Sequence, residues 1–469
     1  MKKRVFLLFA VVGLMAAQIV SCGEPMPTPP PSDDTEQPED KPEETPVDKK
    51  NIKISVPVKD NWIFDGKPSF DITIENLNEV EMEAKVKIKI TTDTKKTVTT
   101  IEQTVSVPAG KKTFTFTTEE NLAPNFYRAS CSANGKSGRN FYFGVNPEGI
   151  VSAPDMQPDF NEYWENAKAT LPSLTEYEPV LTEIKSKSTS AEKVYLVELK
   201  STPDSPNGEY VTVRGYYVEP QDGEKHPVLM HFYGYDDQNP TSKASCPSGG
   251  SKADYAEFYF SIRGQMLNNR KASLREPDGL GDFVNIYGDW FAYNFGNLDG
   301  YYYRGAFLDC VQAVRFMASR PTSDMSNLFA EGSSQGGALC YATAALSDYP
   351  FSAITPNVAF LGDFPDYFQI VSWPANTAKA NQGSMTDEEM YRFLSYFDTK
   401  NLATLISEQT AVWATAGLQD GTCPPHTNLA PFSNLSTTDK QMNYYAEMTH
   451  DYPKSWSSDI NKWFKNHTK

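Results

Sequence analysis

The chain has few histidines, fewer basic than acidic residues, and no long apolar run. It contains five histidines, and neither a Cys-x-x-Cys pair nor a His/Cys spacing typical of zinc sites occurs. A phosphate-binding loop motif is also missing, so the sequence predicts no metal and no cofactor. Lys and Arg number 43 against 60 Asp and Glu, which gives a net charge of −17. This charge argues against nucleic acid as a partner and suits a neutral ligand better.

The longest apolar run covers residues 5–17 and follows three basic residues. It is too short to stay in a bilayer as a helix, and with its basic start it predicts a secretory signal over residues 1–21. The small residue before Cys22 resembles a bacterial lipobox. We therefore expect lipidation at Cys22 and an extracytoplasmic protein anchored to the outer membrane of a Gram-negative bacterium, at its periplasmic face or at the cell surface. Secretion without a lipid is the alternative.

Residues 22–50 are rich in proline and acidic side chains and contain almost no large apolar residue. Such a segment cannot bury enough surface to order itself, so we predict a disordered linker. Residues 51–147 show period-two alternation, clearest at residues 80–90, where apolar and charged side chains alternate. Further short strands are predicted at residues 52–56, 70–74, 105–107, 114–116 and 141–143. The pattern predicts a small immunoglobulin-like β-sandwich domain, with a spacer or orienting role favoured over carbohydrate binding.

Residues 148–469 alternate apolar strand patterns with helical patterns, which predicts an α/β domain with a mainly parallel sheet. Within them, residues 329–338 indicate a strand, a Gly-x-Ser-x-Gly turn and the start of a helix. A serine at such a turn projects its hydroxyl at the carboxyl end of the sheet, as the nucleophile of α/β-hydrolases does. Ser334 is the predicted nucleophile, because the glycines on either side relieve the crowding of so sharp a turn.

In that fold the acid and the histidine follow the serine in this order, each after a different strand. His450 is the predicted base, since the other histidines lie upstream of the serine, close to the acid or in the polar tail. Asp420 is the predicted acid, because it follows an apolar run at residues 411–417 that predicts a buried parallel strand. Asp363 follows a similar run at residues 358–362, which also predicts a strand, and stays open as the alternative acid.

Four motifs occur in this part of the chain: Arg-Gly-Gln at residues 263–265, Tyr-Tyr-Tyr-Arg-Gly at 301–305, Gly-x-Ser-Gln-Gly-Gly at 332–337 and Gly-Leu-x-Asp-x-x-Cys-Pro-Pro at 417–425. Together they resemble the acetyl xylan esterase and cephalosporin-C deacetylase family, an α/β-hydrolase branch of the carbohydrate esterases. The resemblance covers roughly residues 155–469. It supports Asp420, which lies in the last motif, as the acid.

The resemblance implies further site residues. During ester cleavage the oxyanion would be held by the backbone N–H of Gln335, which follows the nucleophile, and by that of Tyr235. By the same resemblance, Arg263, Gly264 and Gln265 would brace the site without reacting.

Two departures from the family pattern stand out. Asp451 follows His450 where the family usually has Glu, an exchange that keeps the charge. The segment at residues 232–237 lacks the glycine that the family has after its tyrosine, and it adds two carboxylates. We expect the second departure to change the rim of the pocket and the choice of substrate, while the backbone donor is retained.

The resemblance implies a serine esterase that removes O-acetyl groups from acetylated xylan or xylo-oligosaccharides through an acyl-enzyme. A prolyl-oligopeptidase-type serine peptidase shares the sheet and triad order, but the sandwich is too small to form its gating propeller. A glycan-binding surface lipoprotein with an inert hydrolase domain is a third interpretation, which the complete Ser, Asp and His set disfavours. Relatives often form ring-shaped assemblies, so a homo-oligomer is expected unless the added domain and the lipid obstruct it.

Overall fold

The computed structural model describes residues 47–236, 242–267 and 287–469 of the chain. The predicted signal peptide, Cys22 and the predicted linker up to residue 46 lie outside these residues. From Val47 onward the described chain forms one compact unit. Within it, no helix has the length and apolar character that crossing a membrane requires.

The N-terminal part is a sandwich of two mainly antiparallel sheets. Its strands are β1 (Ile52–Ser55), β2 (Ile63–Phe64), β3 (Ser69–Asn76), β4 (Met82–Thr92), β5 (Thr97–Val107), β6 (Gly110–Thr117), β7 (Asn125–Ala133) and β8 (Lys136–Val145). One sheet has the order β1-β3-β6 and the other the order β2-β8-β7-β4-β5. Val47 packs against the sandwich core, ahead of the start that the sequence predicts at residue 51.

The core of the sandwich follows from the alternation along its strands. In β4 the side chains of Val86 and Ile88 are buried, whereas Lys87 between them is exposed. Across the sandwich, Phe70 of β3 and Phe143 of β8 meet edge to face with ring centroids 5.0 Å apart. Burial of each such apolar side chain stabilises the fold by roughly 1.5–3 kcal/mol.

The larger part of the chain contains a second set of strands and the helices. The strands are β9 (Val180–Glu183), β10 (Glu192–Pro203), β11 (Tyr210–Pro220), β12 (His226–Phe232), β13 (Ser242–Ala244), β14 (Ala256–Ser261), β15 (Met266–Leu267), β16 (Ser323–Ser333), β17 (Ala353–Asn357), β18 (Ala411–Gly417) and β19 (Lys440–Tyr445). The helices are α1 (Phe160–Lys168), α2 (Tyr302–Ala318), α3 (Gln335–Leu346), α4 (Phe364–Ile370), α5 (Ala375–Asn381), α6 (Asp387–Ser395), α7 (Thr399–Leu402), α8 (Pro425–Ser433) and α9 (Trp456–Asn466).

The central sheet has the strand order β19-β18-β17-β16-β12-β14-β11-β10-β9. The strands from β19 to β14 are parallel, and β11, β10 and β9 continue the sheet antiparallel. Helices α2 and α3 pack on one face, while α9 covers the other, where Phe464 stacks on Phe329 of β16 at 4.9 Å. This is an α/β-hydrolase fold, and the carboxyl ends of β16, β18 and β19 meet at one edge of the sheet.

The sequence prediction of a strand at residues 358–362 is wrong. The strand is β17, which ends at Asn357, and the backbone then turns through positive φ angles of 38° at Val358 and 63° at Leu361. The side chains of this turn are nevertheless buried. An apolar run indicates that its residues are buried. Here the buried residues form a loop inside the core and not a strand.

The sandwich packs directly on the α/β-hydrolase part. Phe126 of β7 meets Tyr444 of β19 with ring centroids 5.7 Å apart. At the edge of this contact, Arg139 Nη1 lies 2.7 Å from a carboxylate oxygen of Glu447. Leu418, just after β18, belongs to the same apolar core as the sandwich strands. The sandwich therefore covers the ends of β18 and β19 at the carboxyl edge of the central sheet.

Candidate active site

Ser334 lies at the turn between β16 and α3. Its backbone has φ 60° and ψ −122°, a conformation that residues other than glycine rarely adopt. The turn is tight, since a Cβ at Gly332 would collide with the backbone of Gly336, and one at Gly336 with the backbone of Phe232. Both glycines are needed for β16, α3 and β12 to approach so closely. The serine is held, partly exposed, at the carboxyl end of β16.

His450 connects Ser334 to Asp420. Its Nε2 lies 2.9 Å from Ser334 Oγ, and its Nδ1 lies 2.8 Å from Asp420 Oδ2. The buried Asp420 carboxylate accepts two backbone N–H groups through Oδ1, from Thr422 at 2.8 Å and Cys423 at 2.9 Å. With Asp420 ionised, Nδ1 of the neutral imidazole carries the proton and Nε2 accepts from the serine hydroxyl. The structure thus brings together the three residues that the sequence predicts for catalysis.

The alternative acid, Asp363, belongs to another group of residues. Its Oδ1 lies 3.1 Å from Lys400 Nζ, and its Oδ2 lies 3.4 Å from His426 Nε2. His426 Nε2 also lies 3.2 Å from Asp366, and its Nδ1 lies 3.3 Å from Asp93 of the sandwich. Burial disfavours a charged imidazole here, but the contacts with the surrounding carboxylates outweigh it and raise the pKa of His426 to about 11. Asp363 therefore pairs with His426 and Lys400, and not with His450.

Three side chains of this group are close enough to share a cation. The candidate ligand atoms of Asp363, Asp366 and His426 all lie within 4.8 Å of one another. A metal ion needs the neutral imidazole as its ligand. The raised pKa keeps His426 protonated at neutral pH, and Lys400 adds a second positive charge beside Asp363. The contacts form an ion-pair network between the sandwich and the hydrolase part.

Gln265 holds the backbone that follows β12. Its Nε2 donates to the carbonyl oxygens of Tyr233 and Gly234 at 3.3 and 3.0 Å. A Cβ at Gly234 would lie 3.7 Å from the Cβ of Ser334, so this segment passes close to the nucleophile. Gln265 therefore fixes the position of the peptide that leads into Tyr235.

The two residues implied for the oxyanion hole are both packed into the site. The Tyr235 ring lies between the rings of Trp290 and Trp373, with centroid distances of 5.0 and 5.1 Å. Gln335 is the first residue of α3, where a backbone N–H has no acceptor within the helix. Its side chain accepts a hydrogen bond from the hydroxyl of Tyr303 at 3.0 Å. Both backbone positions are thus fixed by contacts of their side chains.

Arg263 anchors the same region to helix α2. Its buried guanidinium donates to both carboxylate oxygens of Asp309, at 2.9 and 2.7 Å, and to Asp204. Gly264 has φ 81°, a conformation that favours glycine, and a Cβ at Gly305 would collide with the guanidinium. The Arg-Gly-Gln and Tyr-Tyr-Tyr-Arg-Gly motifs therefore form one packed unit beside the site, and Arg263 does not touch the triad.

Asn357 is a site residue that the sequence does not predict. Its carbonyl oxygen accepts the N–H of Ser334 at 2.9 Å. Its Nδ2 donates to Ser333 Oγ at 2.8 Å and to the carbonyl oxygen of Asp451 at 3.2 Å. It therefore links the nucleophile turn to the loop that carries the histidine. The only local signal is a polar residue at the end of the buried strand β17, where side chains converge at the edge of the sheet.

A serine at such a turn, a histidine and a buried carboxylate at the carboxyl edge of a mainly parallel sheet define an α/β-hydrolase. The acetyl xylan esterase family matches residues 151–467, and the chain belongs to this family. It is accordingly a carboxylic ester hydrolase of the carbohydrate esterase kind.

Individual relatives agree with this assignment. The acetyl esterase Axe7A from Xylanibacter ruminicola is 25% identical over 338 residues, which cover 68% of this chain and 69% of that protein. Acetyl xylan esterase 1 from Thermoanaerobacterium sp. JW/SL YS485 superposes with a TM-score of 0.54 at 22% identity, over 69% of this chain and 98% of its own. The acetyl xylan esterase from Paenibacillus sp. R4 has a TM-score of 0.55 at 23% identity, over 68% and 98% of the respective chains. The two structures establish the fold of the larger part of this chain.

Proposed function

We propose that the protein removes O-acetyl groups from acetylated xylan or xylo-oligosaccharides through a covalent acyl-enzyme. Membership of the acetyl xylan esterase family supports the substrate class. The observation that carries the mechanism is the uninterrupted line of hydrogen bonds from Ser334 through His450 to the buried Asp420.

In the first half of the reaction, Ser334 Oγ attacks the acetyl carbonyl carbon while its proton passes to His450 Nε2. Asp420 holds the Nδ1–H and stabilises the imidazolium that forms. When the tetrahedral intermediate collapses, the bond between the acetyl carbon and the sugar oxygen breaks, and the imidazolium returns its proton to that oxygen. The sugar leaves with a free hydroxyl, and Ser334 carries the acetyl group.

In the second half, a water molecule takes the place of the sugar. His450 removes a proton from the water as it attacks the acetyl carbonyl, and the same proton then goes to Ser334 Oγ as the acyl bond breaks. Acetate leaves and the serine is restored. The proton movements of the two halves are mirror images, so one histidine serves both.

The oxyanion is proposed to bind the N–H groups of Gln335 and Tyr235. The carbonyl of Gly234 accepts from Gln265, and the C=O and N–H of a trans peptide point in opposite directions. The Tyr235 N–H therefore points away from Gln265, as a donor to the oxyanion requires. Fixed donors of this kind contribute ~10²–10³ each to turnover.

The test combines active-site labelling with acetate release. Ser334→Ala should abolish covalent labelling by an organophosphonate, seen as a mass increase of the intact protein, and should lower turnover of acetylated xylo-oligosaccharides by a factor on the order of 10⁶. Ser326→Ala is the matched control, because Ser326 is an exposed serine on the same strand. It should label and turn over like the wild type.

The outcome separates the possible errors. Labelling of Ser334→Ala would place the nucleophile elsewhere. Labelling of the wild type without acetate release from any acetylated oligosaccharide would retain the serine hydrolase and reject the substrate. Faster cleavage of a peptide panel than of the acetylated panel would favour a peptidase.

We also propose that Cys22 carries a lipid and anchors the protein to the outer membrane, at its periplasmic face or at the cell surface. The support is the basic start, the short apolar run and the small residue before Cys22. Cells grown with a radiolabelled fatty acid should label the wild-type protein and not Cys22→Ser. Equal label in both, or label in neither, would contradict the proposal.

A further inference from the structure

A groove of about 440 Å³ runs between the sandwich and the hydrolase part. Its sandwich side includes Lys95 and Tyr142, and its hydrolase side includes Trp373 and the loop that begins at Asp420. The groove is thus lined from both parts of the molecule, and one of its walls is the loop that supplies the predicted catalytic acid.

The groove lies beside the candidate active site, and Trp373 lines the groove while also contacting Tyr235. The ring of Trp373 stacks on Phe360 at 5.2 Å and meets the Tyr235 ring at 5.1 Å. The N–H of Phe360 in turn donates to the carbonyl oxygen of Ser334 at 3.0 Å. Trp373 and Phe360 thus lie between the groove and the turn that carries Ser334.

The side chains of the groove suit sugar rings. Trp373 and Tyr142 are half-buried aromatic residues that line the groove. Aromatic faces pack on the C–H surfaces of sugars, while polar groups around them bind hydroxyls. The groove is neither a purely apolar slot nor a cluster of one charge, and it fits an uncharged, hydroxyl-rich ligand.

Lys95 brings a positively charged donor to the same groove. It occupies the turn between β4 and β5 with φ 70°, and its N–H donates to the carbonyl of Thr92 at 3.0 Å. Its side chain is exposed, and among the described residues no carboxylate forms an ion pair with its ammonium group. An ammonium of this kind has three donors available for hydroxyl oxygens.

We propose that this groove binds the sugar residues next to the acetylated one, so that the sandwich takes part in selecting the substrate. The inference rests on the proposed function, because it needs an acetylated oligosaccharide at Ser334. It extends that function by assigning Lys95, Tyr142 and Trp373 to the flanking sugars. It also changes the expected role of the sandwich from a spacer to a part of the binding site.

The test compares two substrates in each variant: acetylated xylo-oligosaccharides of two to six sugars, and 4-nitrophenyl acetate, which has no flanking sugar. In the full chain, Lys95→Ala and Tyr142→Ala should each lower the ratio of kcat/KM for the oligosaccharides to kcat/KM for the small ester by about fivefold, through a lost hydrogen bond in the first variant and a lost ring contact in the second. Using the ratio removes any loss of folded enzyme from the comparison. Lys89→Ala is the matched control, because Lys89 is an exposed lysine on β4 outside the groove.

Three outcomes are possible. A lower ratio in both groove variants, with the control at the wild-type ratio, supports the inference. Ratios equal to that of the control overturn it and leave the proposed function intact. If the wild type cleaves the small ester but releases no acetate from any oligosaccharide, the proposed function fails and this inference fails with it.

Discussion

The Gln419 side chain forms two hydrogen bonds with the backbone of Tyr142, one as acceptor and one as donor. Its Oε1 accepts the N–H of Tyr142 at 2.9 Å, and its Nε2 donates to the carbonyl oxygen of the same residue at 3.0 Å. A third bond joins Nε2 to the carbonyl oxygen of Ala446 at 2.8 Å. Since Gln419 directly precedes Asp420, a strand of the sandwich is tied to the loop that carries the predicted catalytic acid.

Gln419→Ala should destabilise the protein. The substitution removes the partners of three backbone groups at the contact between β8 and the acid loop, and an unsatisfied group of this kind costs roughly 1–3 kcal/mol. We expect the free energy of unfolding, measured by urea denaturation, to fall by an amount in this range. Gln441→Ala is the control, because the Gln441 side chain is exposed and donates to the side chain of its neighbour Asn443. An equal loss in the two variants would contradict a specific role of Gln419.

Substitution of the two candidate acids should have clearly different effects on kcat and on the free energy of unfolding. Asp420→Asn keeps the size of the side chain but no longer favours the proton on His450 Nδ1, so kcat for an acetate ester should fall by about 10⁴. Asp363→Asn should change kcat less than about tenfold and lower the free energy of unfolding by roughly 1–3 kcal/mol, because it weakens the contacts with Lys400 and His426.

Steady-state kinetics and urea denaturation on the same preparations test both expectations. The reverse ranking, with the larger loss of kcat in Asp363→Asn, would return Asp363 to the role of catalytic acid. A small effect of Asp420→Asn on kcat would show that the buried carboxylate is not needed to orient His450.

The site residues predicted from the sequence are those whose conformation depends on residues nearby in the chain. Ser334 is marked by glycines two positions away, and these glycines are required by the approach of β16, α3 and β12. Asp420 follows β18, whose residues are all buried, as a continuous apolar run indicates. Local sequence carries the information in both cases, because the conformation is determined within a few residues.

What the sequence misses depends on contacts between distant segments. Strand β7 is absent from the sequence prediction because its neighbours Phe126 and Tyr127 are both buried, which breaks the alternation of a two-faced strand. The outer face is covered at Phe126 by Tyr444 of the hydrolase part. The contact of Asp93 with His426 has no local pattern either. The position of the sandwich against the active site therefore emerges only from the structure.

His426→Gln should change how stability depends on pH. In the folded protein the pKa of His426 is raised to about 11 from an ordinary value near 6.5, so its charge stabilises the fold. This contribution is complete below about pH 6.5 and is lost as pH rises towards 11, because the unfolded chain releases the proton first. The free energy of unfolding of the wild type should therefore fall relative to that of the variant as the pH rises through this window.

Urea denaturation at intervals between pH 6 and 9 measures this difference. Gln441→Ala is the control here as well, because Gln441 is exposed, carries no titratable group and lies outside the Asp93 cluster. It should keep the slope of the wild type. Asp363 acts in the opposite range, because the hydrogen bond to His426 and the charge of Lys400 outweigh its burial and lower the pKa of its carboxyl. The contribution of Asp363 to stability is lost only at acidic pH. Above pH 6.5 it stays constant, and the change within this cluster is due to His426. Parallel curves for the wild type and His426→Gln would show that folding does not raise the pKa of His426, and would contradict a stabilising role of its charge.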